Sequence, residues 1–249
     1  MRVSVGVLLG AGLLLGIEIG APVGATAQSA AVVSGVVGET GSPSAGVATV
    51  TYRFERTGLS VPRFRIAVRE DGTGSYQAEE IVGGGGATVG TAPPAPLSHV
   101  ERAIAITPAS TAKIFKVARA ERYFQAACAS KAKNIADTGA KTLSYEGPDG
   151  RGSCSYNYTE DKNVVMLTDL FLGMGTTLDE GRKIEFKRRY DRLGLDAELD
   201  VLTQANDAGR AVELGMIAPL LRQLVDDTEM MQRVRLRAAK LLDRAGDGR

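Results

Sequence analysis

The chain has 249 residues, 44% hydrophobic and 24% charged, a globular composition that excludes wholesale disorder. Thirty basic and 29 acidic side chains leave a formal net charge of +1, so no strong basic field marks a nucleic-acid protein. One histidine, His99, and two cysteines, Cys128 and Cys154, exclude a histidine-rich zinc site and a disulfide-dense scaffold. No cofactor or metal motif stands in their place.

The N-terminus reads as an export address. Arg2 supplies a short positive region, Val3 to Ile17 is apolar, and Ala25-Thr26-Ala27 offers small residues at a peptidase site. The apolar run falls short of the roughly 20 residues that span a bilayer. Residues 1–27 are therefore expected to be a signal peptide cut after Ala27, which sends the chain to the periplasm or beyond. No later stretch is apolar enough to span a membrane. Residues 28–46, rich in Ala, Val, Ser and Gly, read as a flexible leader. Export also makes a Cys128–Cys154 disulfide the expected pairing, against two buried free thiols as the alternative.

Strands come next. Val50, Tyr52 and Phe54 alternate with Thr51, Arg53 and Glu55, which predicts a half-buried strand. Phe64, Ile66 and Val68 alternate with arginines at 63, 65 and 69, and Asp71-Gly72 signals a hairpin into a strand carrying Tyr76 and Ala78. A long Gly- and Pro-rich loop follows at Gly83–Gly86 and Ala92–Pro96. Val100, Ile104 and Ile106 suggest a fourth strand, although Arg102 breaks its alternation. Thr107-Pro108 resembles an N-cap with proline at the first helical position, and the helix is expected to reach Phe124. Leu143 and Tyr145 mark a fifth strand. Asp149-Gly150 turns the chain into a sixth, on which Cys154, Tyr156 and Tyr158 are expected to share one face.

The period then becomes helical. Val164, Leu167, Phe171, Met174 and Leu178 recur at three and four residues, predicting a long helix from about 162 to Leu193. Gly173 and Gly175 inside it point to close packing. A shorter helix covers Asp196 to Gln204. The C-terminus reads as a helical hairpin, Ile217–Leu224 and Met231–Leu242. The expected fold is α+β: an antiparallel sheet of about five or six strands on two main helices, spanning 47–205, with the hairpin over 206–249.

Chemical motifs are few. His99 reads as a surface loop residue, and Gly83–Gly86 lacks the Lys-Ser/Thr of a phosphate loop. The basic run Lys183, Lys187, Arg188, Arg189 and Arg192 interleaves with acids and reads as a solvated face, with Glu185 and Arg189 spaced for pairing. Asn157-Tyr158-Thr159 forms an N-glycosylation sequon. Pro108-Ala109-Ser110-Thr111-Ala112-Lys113, with Ser155-Tyr156-Asn157 and Lys141-Thr142-Leu143, resembles the boxes of penicillin-recognising enzymes. That resemblance implies an acyl-transfer enzyme with Ser110 as nucleophile and Lys113 as base. The glycine after Lys-Thr is missing and the Lys-Thr strand comes too early. The alternative is that Ser110 and Thr111 help to cap a helix.

Two further resemblances can be named. Lys141–Tyr145, Tyr156–Thr159 and Arg189–Asp196 carry a likeness, over about 52–199, to uncharacterised exported bacterial proteins, which implies export and no known activity. Ile217 to Leu242, with Pro219, Asp227, Val234 and Arg235, is similar to one HEAT-type helical pair, which implies a cap or a binding face. The function expected is that of a non-catalytic binding or structural module of the cell envelope or extracellular space. Its expected partner is an envelope protein met through the C-terminal helices.

Overall fold

A computed structural model of the chain describes residues 46–81 and 97–246. The expected signal segment, nearly all of the leader and the Gly- and Pro-rich loop lie outside the described residues.

Strands β1 (Thr49–Glu55), β2 (Arg63–Arg69), β3 (Thr73–Ile81) and β4 (Leu97–Ala105) form an antiparallel meander. The Asp71-Gly72 turn works as its sequence suggests: Gly72 takes a φ of 82°, and Asp71 accepts the Thr73 amide at 2.8 Å. Strand β5 (Ala140–Gly147) returns to the free side of β1, and β6 (Gly150–Tyr156) pairs with β5. The order is β4-β3-β2-β1-β5-β6, in one six-stranded sheet. This makes β1 a central strand. Val50 and Tyr52 lie opposite Val68 and Ile66 on one side and Tyr145 and Leu143 on the other, and all six are buried.

Helices α1 (Pro108–Ala120) and α2 (Lys162–Tyr190) cover this apolar face. Phe171 of α2 stacks on Tyr52 with ring centres 5.1 Å apart, and Phe115 of α1 meets Tyr145 edge-on. Val164, Leu167, Phe171, Met174 and Leu178 are buried as their spacing predicts. The glycines of α2 permit close approach: a Cβ on Gly175 would stand 3.0 Å from Phe64, and one on Gly181 2.7 Å from Ile217. Arg102, which breaks the alternation of β4, lies on the helix-covered face and reaches Glu185 of α2 at 2.8 Å. Its charge is paired, so its place on this face is explained.

Helices α3 (Leu195–Asp207), α4 (Ala218–Asp226) and α5 (Gln232–Gly246) complete the fold. Leu199, Leu221, Leu224, Val234, Ala238 and Leu241 are buried in the same apolar cluster as the sheet's inner residues. The C-terminal hairpin therefore spends its apolar stripes on the core.

The ends of two expected elements need correction. Helix α1 stops at Ala120 rather than Phe124, because Arg122, Tyr123 and Phe124 all take positive φ, at 50°, 59° and 64°. This left-handed turn buries Phe124 and sets Tyr123 against Tyr145, ring centres 4.9 Å apart. Aromatic burial outweighs a backbone cost of about 1–2 kcal/mol per residue. The second correction is at Tyr158. Strand β6 ends at Tyr156, and Tyr158 lies 46% exposed while its carbonyl accepts the Ser130 amide.

Candidate functional site

Thr107 caps α1, accepting from the Ser110 amide at 3.3 Å, with Pro108 at the first turn. The Ser110 hydroxyl donates to Glu213 Oε1 at 2.5 Å. The same carboxylate accepts the Thr107 hydroxyl at 2.7 Å and the Thr107 amide at 2.8 Å. A carboxylate at a helix N-terminus is favoured by the helix dipole. Lys113 faces a depression of about 390 Å³ shared with Lys162, Asp169 and Val212, which Ser110 does not line.

The other two boxes lie elsewhere. Lys141 is buried at the start of β5, where its ammonium donates to the carbonyls of Thr138, Gly139 and Asn157 at 2.8–3.0 Å and to the Thr138 hydroxyl at 2.9 Å. Burial pulls its pKa below the usual lysine value, with Asp137 opposing the shift. Lys141 thus ties the incoming loop to the end of β6. Asn157 works in the same knot: its Oδ1 accepts the Thr138 amide at 2.8 Å and its Nδ2 donates to the Ala136 carbonyl at 2.9 Å. Thr142 and Ser155 share a hydrogen bond of 2.8 Å on the opposite face of the sheet. Among the described residues no hydrogen bond joins any of these groups to Ser110 or Lys113.

Cys128 and Cys154 are joined in a disulfide, with Cα atoms 5.9 Å apart. The bond fastens the segment after the left-handed turn to edge strand β6. Gln125 adds a hydrogen bond to the Arg151 carbonyl at 2.9 Å. The pairing removes both thiols from redox or nucleophilic chemistry while it stands.

Among the described residues the helices lie on one face of the sheet. The second face is polar. A cleft of about 740 Å³ opens there, lined in part by Arg53, Arg63, Arg65, Gln77, Glu79 and His99. Arg63 sits between two acids, reaching Glu55 at 2.8 Å and Glu79 at 2.9 Å. Gln77 donates to Glu101 at 3.1 Å. Arg53 and Arg65 lie directly opposite each other on β1 and β2, and neither has a carboxylate within ion-pair distance among the described residues. Among the described residues, Arg65 Nε is closed to solvent and meets no acceptor. Like charges opposed across a strand pair destabilise a sheet. His99, expected on a loop, stands on β4 opposite Glu79 and lines this cleft.

Among the described residues no group of three or more His, Cys, Asp or Glu can hold a metal ion, and no helix is long and apolar enough to cross a membrane. No family model, curated protein or solved structure matches this chain.

The sequence reading missed the Arg53–Arg65 opposition and Glu213. The first follows from the β1–β2 register: strands centred on Tyr52 and Ile66, joined by a short turn, bring residues 53 and 65 together. The second had no local signal, because its partners are 103 and 106 residues away.

Proposed function

We propose that this is an exported, non-catalytic binding module of the cell envelope or extracellular space, with the polar face of its sheet as the binding face. The observation that carries the reading is the cleft on that face, where charged side chains converge and, among the described residues, two arginines have no carboxylate at ion-pair distance. Its elements are rigid strands, which position contacts better than loops do. The Ser110 hydroxyl is engaged by a carboxylate that also accepts from Thr107, the cap of α1, which favours a structural role for it. Export is supported by the sequence of residues 1–27.

The apolar stripes of α4 and α5 are used within the core, so we place the contact surface on the sheet rather than on the C-terminal helices. The test combines in-cell cross-linking with a serine-directed probe. The tagged chain is captured from the cells that make it, and a fluorescent β-lactam is applied to the purified protein. Specific cross-linked partners without labelling support the module. Labelling lost in Ser110→Ala contradicts it and restores the acyl-transfer enzyme.

A further inference from the structure

We propose that Arg53 and Arg65 form an oxyanion site, which receives a carboxylate or phosphate group of a hydrophilic ligand. The inference rests on the binding-module reading and names the chemistry its cleft takes.

Arg53 and Arg65 are Cα partners across β1 and β2, so their Cβ atoms stand about 5 Å apart. Guanidiniums anchored this close repel, and an anion held between them relieves the repulsion. The three acids that line the cleft bond other groups. Glu55 and Glu79 both bond Arg63, and Glu101 accepts from Gln77. Among the described residues neither Arg53 nor Arg65 therefore has a carboxylate at ion-pair distance, and their N–H donors stay free for a ligand. A bound oxyanion would remove the repulsion and accept charge-assisted hydrogen bonds from both guanidiniums, a geometry arginine suits.

The row holding the arginines supplies further polar groups. Thr142 is the partner of Arg53 on β5, and Gln77 the partner of Arg65 on β3. Two residues along each strand the side chains shrink to Thr51, Ala67, Ser75 and Ser144. The arginine row therefore borders a shallow floor on which the rest of a ligand can lie. The alternate residues of the six strands on this face include no Phe, Tyr or Trp. Phe54, Phe64, Ala78 and Val100, whose strand positions belong to the helix-covered face, also line the cleft at its apolar margin. Protein partners are held by buried aromatic and apolar anchors, so this face suits a hydrated, anionic ligand better.

The test is NMR of the arginine Nε–H signals in the purified chain, titrated with inorganic phosphate, trigalacturonate and neutral maltotriose. Phosphate or trigalacturonate should shift the Arg53 and Arg65 signals in a saturable way, with maltotriose leaving them in place. The anion that binds names the source of the group. Arg53→Gln or Arg65→Gln should weaken binding by about tenfold or more, and the double variant should abolish it. The double variant should also melt no lower than the parent, because it removes a repulsion. No saturable shift with either anion, equal affinity in the double variant, or a marked loss of its stability would overturn the site. If both anions fail while partners are still captured in the cell, the oxyanion site falls and the binding module stands.

Discussion

The hydroxyl of Ser110, at the start of α1, donates to the carboxylate of Glu213, 103 residues further along the chain, at 2.5 Å. Glu213 holds a left-handed backbone, φ 57°, in making this contact. A glutamate tolerates that conformation only where its surroundings repay the strain. Here the repayment is three hydrogen bonds to Thr107 and Ser110, and they latch the segment before α4 onto the first turn of α1.

Glu213→Ala should therefore lower stability by about 2 kcal/mol, since it leaves the Thr107 amide and two hydroxyls without their acceptor. Ser110→Ala should cost about 1 kcal/mol, having removed one donor and kept the latch. Urea unfolding of both variants checks the order. A larger loss for Ser110→Ala than for Glu213→Ala would contradict it.

The Cys128–Cys154 bond closes a loop with a sequence separation of 26. Chain-entropy arguments give such a bridge on the order of 3 kcal/mol. Unfolding with and without reductant should differ by about that amount, and so should the parent and a Cys128→Ala/Cys154→Ala variant. Two freely alkylated cysteines in the unreduced native protein would rule the bridge out.

Glu180 of α2 is buried beside Lys183, at 2.8 Å, and Glu198 of α3, which Lys187 reaches at 2.7 Å. Burial raises the Glu180 pKa above the usual carboxylate value, Lys183 pulls it back, and Glu198 adds to the rise. Burial also opposes ionisation of Glu198, but Lys187 and the neighbouring Glu180 carboxyl outweigh it and hold that group lower than usual. Of the two carboxyls, Glu180 therefore holds a proton to higher pH than Glu198 does. A raised folded pKa stabilises the fold fully below the unfolded value, about 4.3 for glutamate, and that contribution is lost as pH rises through the folded value. Glu180→Gln keeps a neutral amide in this place at every pH. Its stability relative to the parent should rise between pH 4 and pH 8. A difference that stays flat across a urea series at those pH values would contradict the assignment.

The left-handed turn makes opposite predictions at two neighbouring sites. Arg122 is exposed with φ 50°, so Arg122→Gly relieves strain and should raise stability by up to about 1 kcal/mol. Gly150 lies under the Tyr123 ring, where an added Cβ would come within 2.4 Å. Gly150→Ala should lower stability by about 1–3 kcal/mol through overpacking. Thermal melting of the two variants is the check, and shifts of the same sign would contradict this account of the turn.

Local patterns made most of the elements legible. The alternation around Tyr52 and Ile66 and the three-four spacing from Val164 to Leu178 reflect burial on one face, and the α+β architecture follows from them. The place of β5 beside β1 was not legible, because strand order depends on long-range pairing. The end of α1 was not legible either: Arg122, Tyr123 and Phe124 have no turn chemistry of their own, and tertiary stacking on Tyr145 sets their backbone. Lys141 looked like one member of a catalytic box. Only the loop carbonyls brought around it in the fold reveal a buried structural ammonium. The arginines of the cleft were visible as the polar half of an alternating pattern, but register was needed to set 53 against 65.

The central claim is that the polar face of the sheet meets the ligand or partner. Site-resolved photo-cross-linking in the cells that make the protein tests it most directly. A photoreactive residue is placed at Ala103 or Ser153, exposed on that face, and at Arg222 or Lys240, exposed on the C-terminal helices. The account predicts specific adducts from positions 103 and 153 and none from 222 and 240. Adducts from the helical positions alone would contradict it and return the binding surface to the C-terminal hairpin.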